Sequence, residues 1–208
     1  MPRRGAVLRV LCLELERLYN HIADIGAICT DVAFVTAHMH AMRLKERILR
    51  VNEGLTGNRL LRGMACLGGV RFDWDAGQVE ALAGLVAGLR REFDSLVRLV
   101  ENSSSTLDRL KTTGILEPGV ARDLGIVGIA GRASGFGHDL RRDFPHAAYD
   151  AVEVKVPVYR EGDVESRLQV RVDEVREAMS LSERFATALP DGPVRVAVAE
   201  VPPDRVAL

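Results

Sequence analysis

The 208-residue chain predicts a mainly α fold of the α+β class, a bundle of long helices with a small peripheral β-sheet, organised as a single domain over residues 1–208. Three observations predict it. Apolar side chains recur at three- and four-residue steps over long stretches, as one face of a helix requires. Strand-like alternation is confined to short runs near the C-terminal end. No repeat, low-complexity tract or linker divides the chain.

The first helix is set by Leu8, Leu11, Leu15, Leu18, Ile22, Ile25, Cys29 and Val32. The pattern loosens over Thr36 to His40 and resumes from Met42 to Asn52, which leaves either one very long helix or two with a break near His38. Gly54, Gly57 and the Gly68-Gly69 pair then punctuate the chain. Asp75 is placed to cap the next helix, with Gln78 at the capping-box position three residues on. Its stripe is Val79, Leu82, Val86, Leu89, Phe93, Leu96 and Val100. The hydroxyl run Ser103 to Thr106 competes for backbone hydrogen bonds and strains the helix before Leu107 and Leu110. A short helix is expected from Pro118 to Leu124.

Residues 125–150 are glycine-rich and carry Arg132, Ser134, His138, Asp139, Arg141 and Arg142, the composition of an ordered functional loop. Val152, Val154, Val156 and Val158 alternate with polar residues and Pro157, which predicts an edge strand or hairpin. Asp163 caps a last long helix with Val164, Leu168, Val172, Val175, Met179 and Phe185 inside, ending before Pro190. Val194 to Val201 reads as a closing strand.

A net charge of −1, with 47% hydrophobic and 27% charged residues, gives a globular composition and no electrostatic reason to expect nucleic acid as a partner. No apolar run reaches the roughly 18 to 20 residues that span a bilayer, so any membrane association is expected through partner contacts. The isolated Cys12, Cys29 and Cys66 form neither a disulfide framework nor a Cys-x-x-Cys site and read as small core residues.

Arg17, His21 and Asp24 share a helix flank and can touch. They suit either a proton-handling relay or, more simply, a salt-bridged rim. His38 and His40 point to opposite sides of a helix and lack a third ligand, so no metal is expected there. His146 reads as a loop hydrogen-bond donor. The segment from Gly128 to Arg142 lacks the Gly-Lys-Ser/Thr ending of a phosphate loop, and pairing of Arg132 with Asp139 or Asp143 explains it equally well. Arg167, Arg171 and Glu174 form a polar stripe expected to be a solvated face.

Taken in order, Glu14 to His21, Asp31, Arg43 to Glu46, Thr56 to Arg59, Gly68-Gly69, Arg132 to Gly135, Asp139 to Arg141, Pro145 to Tyr149, Gly162-Asp163 and Arg167 to Arg171 resemble a known superfamily. It joins the 49-kilodalton-type, quinone-site subunit of respiratory NADH dehydrogenase (complex I) to the large subunit of membrane-bound nickel-iron hydrogenases such as formate hydrogenlyase. The resemblance covers nearly the whole chain and implies the hydrogenase large-subunit fold.

It further implies a subunit of a membrane-associated oxidoreductase complex, working in electron transfer coupled to quinone or proton reduction. The implied partners are a small iron-sulfur subunit and a membrane arm, with the subunit peripheral on the inner, cytoplasmic face of the cell membrane. In the quinone branch an acidic residue at the place of Asp31 pairs with a histidine beside the quinone headgroup, which makes Asp31 the implied active-site residue. Glu14, Arg17, His21, Arg43, Glu46, Arg59, Arg132, Asp139, Arg141, Arg167 and Arg171 carry family motifs of structural or interface type. The cysteine pairs that hold nickel and iron in the hydrogenases are not matched here, so no metal is expected in this chain; quinone or the nickel-iron centre would belong to the complete subunit, and iron-sulfur clusters to its partners. The chain thus resembles the central portion of a longer subunit and is expected to be inactive by itself. Cys29 to Phe34 and Leu55 to Arg62 resemble the formate-hydrogenlyase type more closely. The reading from another class is a noncatalytic helical scaffold that keeps the fold without redox chemistry.

Overall fold

The computed structural model describes residues 1–198. Two helices form its spine, α1 (Arg3–Asp31) and α2 (Val35–Thr56). A two-stranded hairpin follows, β1 (Ala65–Cys66) with β2 (Gly69–Val70), and then α3 (Ala76–Glu101) and α4 (Ser104–Leu110). Short helices α5 (Pro118–Asp123), α6 (Gly128–Ala133) and α7 (Leu140–Asp143) and a 3₁₀ turn at Tyr149–Ala151 lead to the last long helix, α8 (Val164–Thr187).

α1 is the element the others are built on, because it packs against α2, α8 and β2 together. Its stripe from Leu8 to Cys29 is buried throughout, as the spacing predicts. Gly26 lets α2 approach, since a Cβ there would press on Ala41 and Met42. The stripes of α3 and α8 are buried as well, except that Val79 and Val164 at their starts are partly buried, and one contiguous apolar core runs from Ala6 to Ala186. Burying a Leu or Phe side chain is worth about 1.5–3 kcal/mol, so these stripes are what hold the long helices together.

The break between α1 and α2 falls at Val32–Phe34, earlier than the expected position near His38. The cause is local. Phe34 N–H donates to the Cys29 carbonyl at 2.7 Å and Ala33 N–H to Thr30 at 2.9 Å, the paired bonds of a Schellman closure. Ala33 takes the left-handed conformation such a closure needs, at φ 64°. His38 lies beyond the turn, donating from Nδ1 to the Gly26 carbonyl at 3.0 Å.

The Asp75 capping box forms as predicted, with Asp75 accepting from Gln78 N–H at 2.8 Å and Gln78 accepting from Asp75 N–H at 3.0 Å. The hydroxyl run does more than strain α3. It ends the helix, and Ser103 starts α4.

The expected strand over Val152–Val158 does not form. Val154 is buried and its neighbours are not, but the run has a helix beside it rather than another strand: Lys155 N–H donates to the Glu177 carboxylate of α8 at 3.0 Å. The period of two therefore records burial against α8 without a ladder. The sheet is instead the β1–β2 hairpin, turning on Leu67 and Gly68, where Gly68 takes φ 82°. Of the expected strand over 194–201, one antiparallel bridge forms, between Arg195 and Gly69. Residues 199–201 of that expectation lie outside the described residues.

Because Ala33 carries a Cβ in a left-handed position that glycine occupies without strain, Ala33→Gly is expected to raise unfolding stability by about 1 kcal/mol, read as a higher thermal midpoint.

Candidate functional site

α1 brings Glu14 and His21 inward along with its leucines, because both fall on the helical series Val7, Val10, Glu14, Leu18, His21, Ile25. α8 does the same with Glu174, which sits in a second buried series of Val170, Glu174, Ala178 and Leu181. Glu14 and Glu174 are both fully buried, at 0% exposure. Two carboxylates removed from water require partners, and the glycine-rich segment supplies them.

The result is a closed ring of ion contacts. Arg141 Nη1 lies 3.3 Å from Glu14, and Arg141 Nη2 donates to Asp139 at 2.8 Å. Asp139 faces Arg132 at 3.8 Å, and Arg132 Nε lies 2.6 Å from Glu174 Oε1. Glu174 Oε2 accepts from His21 Nε2 at 2.6 Å and lies 3.5 Å from Arg17 Nη1. Arg17 Nε completes the circuit 3.3 Å from Glu14. The Tyr149 hydroxyl donates to Glu14, and Arg132 Nη1 donates to the His138 carbonyl at 3.0 Å. The carboxylates of Glu14, Asp139 and Glu174 thus balance the guanidinium groups of Arg17, Arg132 and Arg141.

The ring biases its members. Burial alone would raise the Asp139 carboxyl, but the hydrogen bonds and charge of Arg141, with Arg132 behind, outweigh it and hold Asp139 at about 2. Glu174 is likewise pulled below its ordinary value: burial opposes this, and the His21 hydrogen bond with the Arg132 charge prevails. Tyr149 moves the other way, its phenol pushed up by burial and then by the Glu14 charge. Tyr149 therefore stays a donor.

Several expectations are met differently. Arg17, His21 and Asp24 share a flank, but their contacts run across to α8: Arg17 and His21 reach Glu174, and Asp24 pairs with Arg171 at 3.1 Å. The α8 stripe is accordingly not a solvated face. Glu174 is buried, and Arg167 Nη2 donates to the Gly114 and Gly162 carbonyls at 2.6 and 2.7 Å. The expected Arg132–Asp139 pairing is present, and the glycine-rich segment folds into α6 and α7 rather than a strand–loop–helix phosphate cradle. His146 sets its ring edge-on to Tyr149 at 5.1 Å. Tyr149 belongs to a recognisable motif, but only the fold shows its hydroxyl aimed at Glu14.

Other motif residues lie apart. Arg59 Nη2 pairs with Glu46 at 2.5 Å and Arg43 with Glu92 at 2.6 Å, on the outside of α2. The Arg59 and Arg50 hydrogen bonds hold the Glu46 carboxyl at about 2. Asp31 is the exposed last residue of α1, about 25 Å along the helix from Glu14 at 1.5 Å per residue. It is not part of the ring.

Two cavities lie along α1, and the ring lines one of them. One, of about 590 Å³, has Arg17, Arg132, Arg141 and Tyr149 on one side and Leu13, Val127, Leu140 and Phe144 at its rim. The other, of about 420 Å³, is lined by Cys12, Leu13, Leu61, Met64 and Val70. Burial, and after it the Glu16 charge, pushes the Cys12 thiol up to about 12, so it is a poor thiolate ligand. Among the described residues no three His, Cys, Asp or Glu side chains converge to hold a metal ion. The donors of the described residues therefore do not fit a thiolate-held nickel-iron centre.

Comparison with known proteins adds the family context. Residues 31–207 match the family model described as "Respiratory-chain NADH dehydrogenase, 49 Kd subunit". A subunit of the NADH-quinone oxidoreductase of Rhizobium meliloti (strain 1021) is 34% identical over 96% of this chain and 50% of its own length. Subunit 4 of the Thermus thermophilus NADH-quinone oxidoreductase is 33% identical over 99% of this chain and 50% of its own. Formate hydrogenlyase subunit 5 of Escherichia coli (strain K12) is 33% identical over the full chain and 37% of its own length. The two branches stand level in identity to this chain. The chain spans about half the length, or less, of these curated relatives. In structure it is similar to a chain of the membrane-bound sulfane sulfur reductase, an archaeal respiratory membrane complex, with a TM-score of 0.89, 27% identity, and coverage of 95% of this chain and 53% of that one.

Removing one member of the ring strands its partners. Glu174→Ala is expected to cost about 3–5 kcal/mol in denaturant unfolding, because Arg132 loses a buried counter-charge and His21 a buried acceptor. Acid titration should show the Asp139 contribution. Its folded value lies below the unfolded one, so its stabilisation of about 2 kcal/mol is present above pH 4 and is lost as pH falls through about 2.

Proposed function

Because the chain belongs to the family of the respiratory-chain NADH dehydrogenase 49 Kd subunit, we propose that it works within a membrane-associated oxidoreductase complex, in electron transfer coupled to quinone or proton reduction. The observation that carries this reading is the family match over residues 31–207, together with the convergence of its scattered motif residues into one buried ring. No helix among the described residues is long and apolar enough to cross a membrane. Attachment on the inner face is therefore proposed to run through partners, namely a small iron-sulfur subunit and a membrane arm. Iron-sulfur clusters would sit in those partners, and quinone would be the substrate of the complete subunit.

The ring's proposed part is positional. It ties α1, α8 and the segment from Arg132 to Tyr149 into one rigid body, and α1 then presents Asp31 at its far end. The last turn of α1 holds no basic residue. An exposed carboxylate at the end of a long helix suits a group that accepts a hydrogen bond from a substrate or partner side chain.

Asp31→Asn, introduced into the complete subunit within its complex, is expected to lower quinone- or proton-linked turnover by about 10-fold or more while assembly is retained. Assembly and turnover falling together would make Asp31 a structural residue, and unchanged turnover would remove it from the reaction.

A further inference from the structure

Residues 194–198 cross the outer edge of the β1–β2 hairpin where it meets α1. Val70 N–H donates to the Val194 carbonyl at 3.1 Å, and Val196 N–H donates to the Gly68 carbonyl at 3.2 Å. The seat for this strap is cut from glycine. A Cβ on Gly69 or on Gly5 would run into the Val194 carbonyl oxygen, and one on Gly68 into that of Val196. A single carbonyl, that of Val194, therefore lies against both α1 and the hairpin. These are the two walls of the 420 Å³ cavity: Arg9, Cys12 and Leu13 of α1 face Met64, Ala65 and Val70 across it.

The strap is anchored at one end and shallow beyond it. Val194 is partly buried against the core, Val196 and Val198 are 45% and 49% exposed, and its described backbone hydrogen bonds run to the hairpin alone. Segments with few buried apolar contacts and solvent-facing hydrogen bonds open first. The hairpin keeps a second tie to α1 that does not involve the strap, since Arg9 Nη2 donates to the Gly69 carbonyl at 2.8 Å and also to Cys66. Two holds of unequal strength on one wall make a hinge and a catch.

We propose that residues 194–198 are a latch, opening by local unfolding and thereby setting access to the apolar cavity between α1 and the hairpin, with Arg9 as the hinge that stays fastened. This is independent of the role assigned to Asp31. Cys12 lines the cavity and reports on it, while Cys29 is wholly buried in the core and reports on global opening.

The test is alkylation of the native full chain with iodoacetamide, followed site by site by peptide mass spectrometry. Val196→Pro deletes the donor to Gly68 and leaves both cavity walls unchanged; Val196→Ala keeps it; Gly69→Val wedges the seat from the hairpin side. Val196→Pro and Gly69→Val are each expected to speed modification of Cys12 by roughly five-fold or more, the population change that follows loss of one hydrogen bond, with Cys29 unchanged and Val196→Ala at the parental rate. An unchanged Cys12 rate in Val196→Pro overturns the proposal, whatever Gly69→Val does, because the hairpin alone would then set access. Cys12 and Cys29 accelerating together in both variants also overturns it, since opening would then be global.

Discussion

The architecture depends on neutralising two carboxylates, Glu14 and Glu174, that their own helices carry into the core. Neither helix can satisfy its glutamate alone. Glu174 needs His21 and Arg17 from α1, and both glutamates need arginines from the segment between α5 and α8. A buried charge without a partner costs several kcal/mol, so α1, α8 and that segment have one low-energy arrangement. The apolar stripes bring the helices together; the ring decides how they are turned and which loop lies against them. Such a ring is weak evidence for stability compared with an apolar core of the same size, and better evidence for specificity.

This division explains the form of the glycine-rich segment. It holds only short helices, α6 and α7, because its task is to deliver Arg132, Asp139, Arg141 and Tyr149 to fixed points. Asp139 serves twice, capping α7 through Arg141 N–H at 3.0 Å and pairing with the Arg141 side chain. The rim of the larger cavity carries Val127, Leu140 and Phe144 at 67–74% exposure, so the polar interior opens directly onto an apolar surface.

Much of this is legible in the residues. The stripes of α1, α3 and α8 and the Asp75 capping box are readable because local spacing and local hydrogen bonding determine them. Spacing alone leaves open whether α1 ends before α2, and sets any break near His38, because Ala33 disguises a position where glycine is usual. Val152 to Val158 alternates for burial against a helix, and periodicity carries no information about what lies opposite. Glu174 passes for a solvated residue because its charge spacing hides the second apolar series, Val170, Ala178 and Leu181, in which it sits.

The sequence by itself determined the long helices, their buried faces and the family to which the ordered motifs belong, since each of these rests on residues within a few turns of one another or on their order along the chain. Only the tertiary structure decided that Glu14, Arg17, His21, Arg132, Asp139, Arg141, Tyr149 and Glu174 are one assembly, and that Asp31 stands outside it. The reason is physical. Ion pairing in a core joins residues that helix packing brings together across more than a hundred positions of sequence, such as Arg141 with Glu14, and no local periodicity encodes that partner.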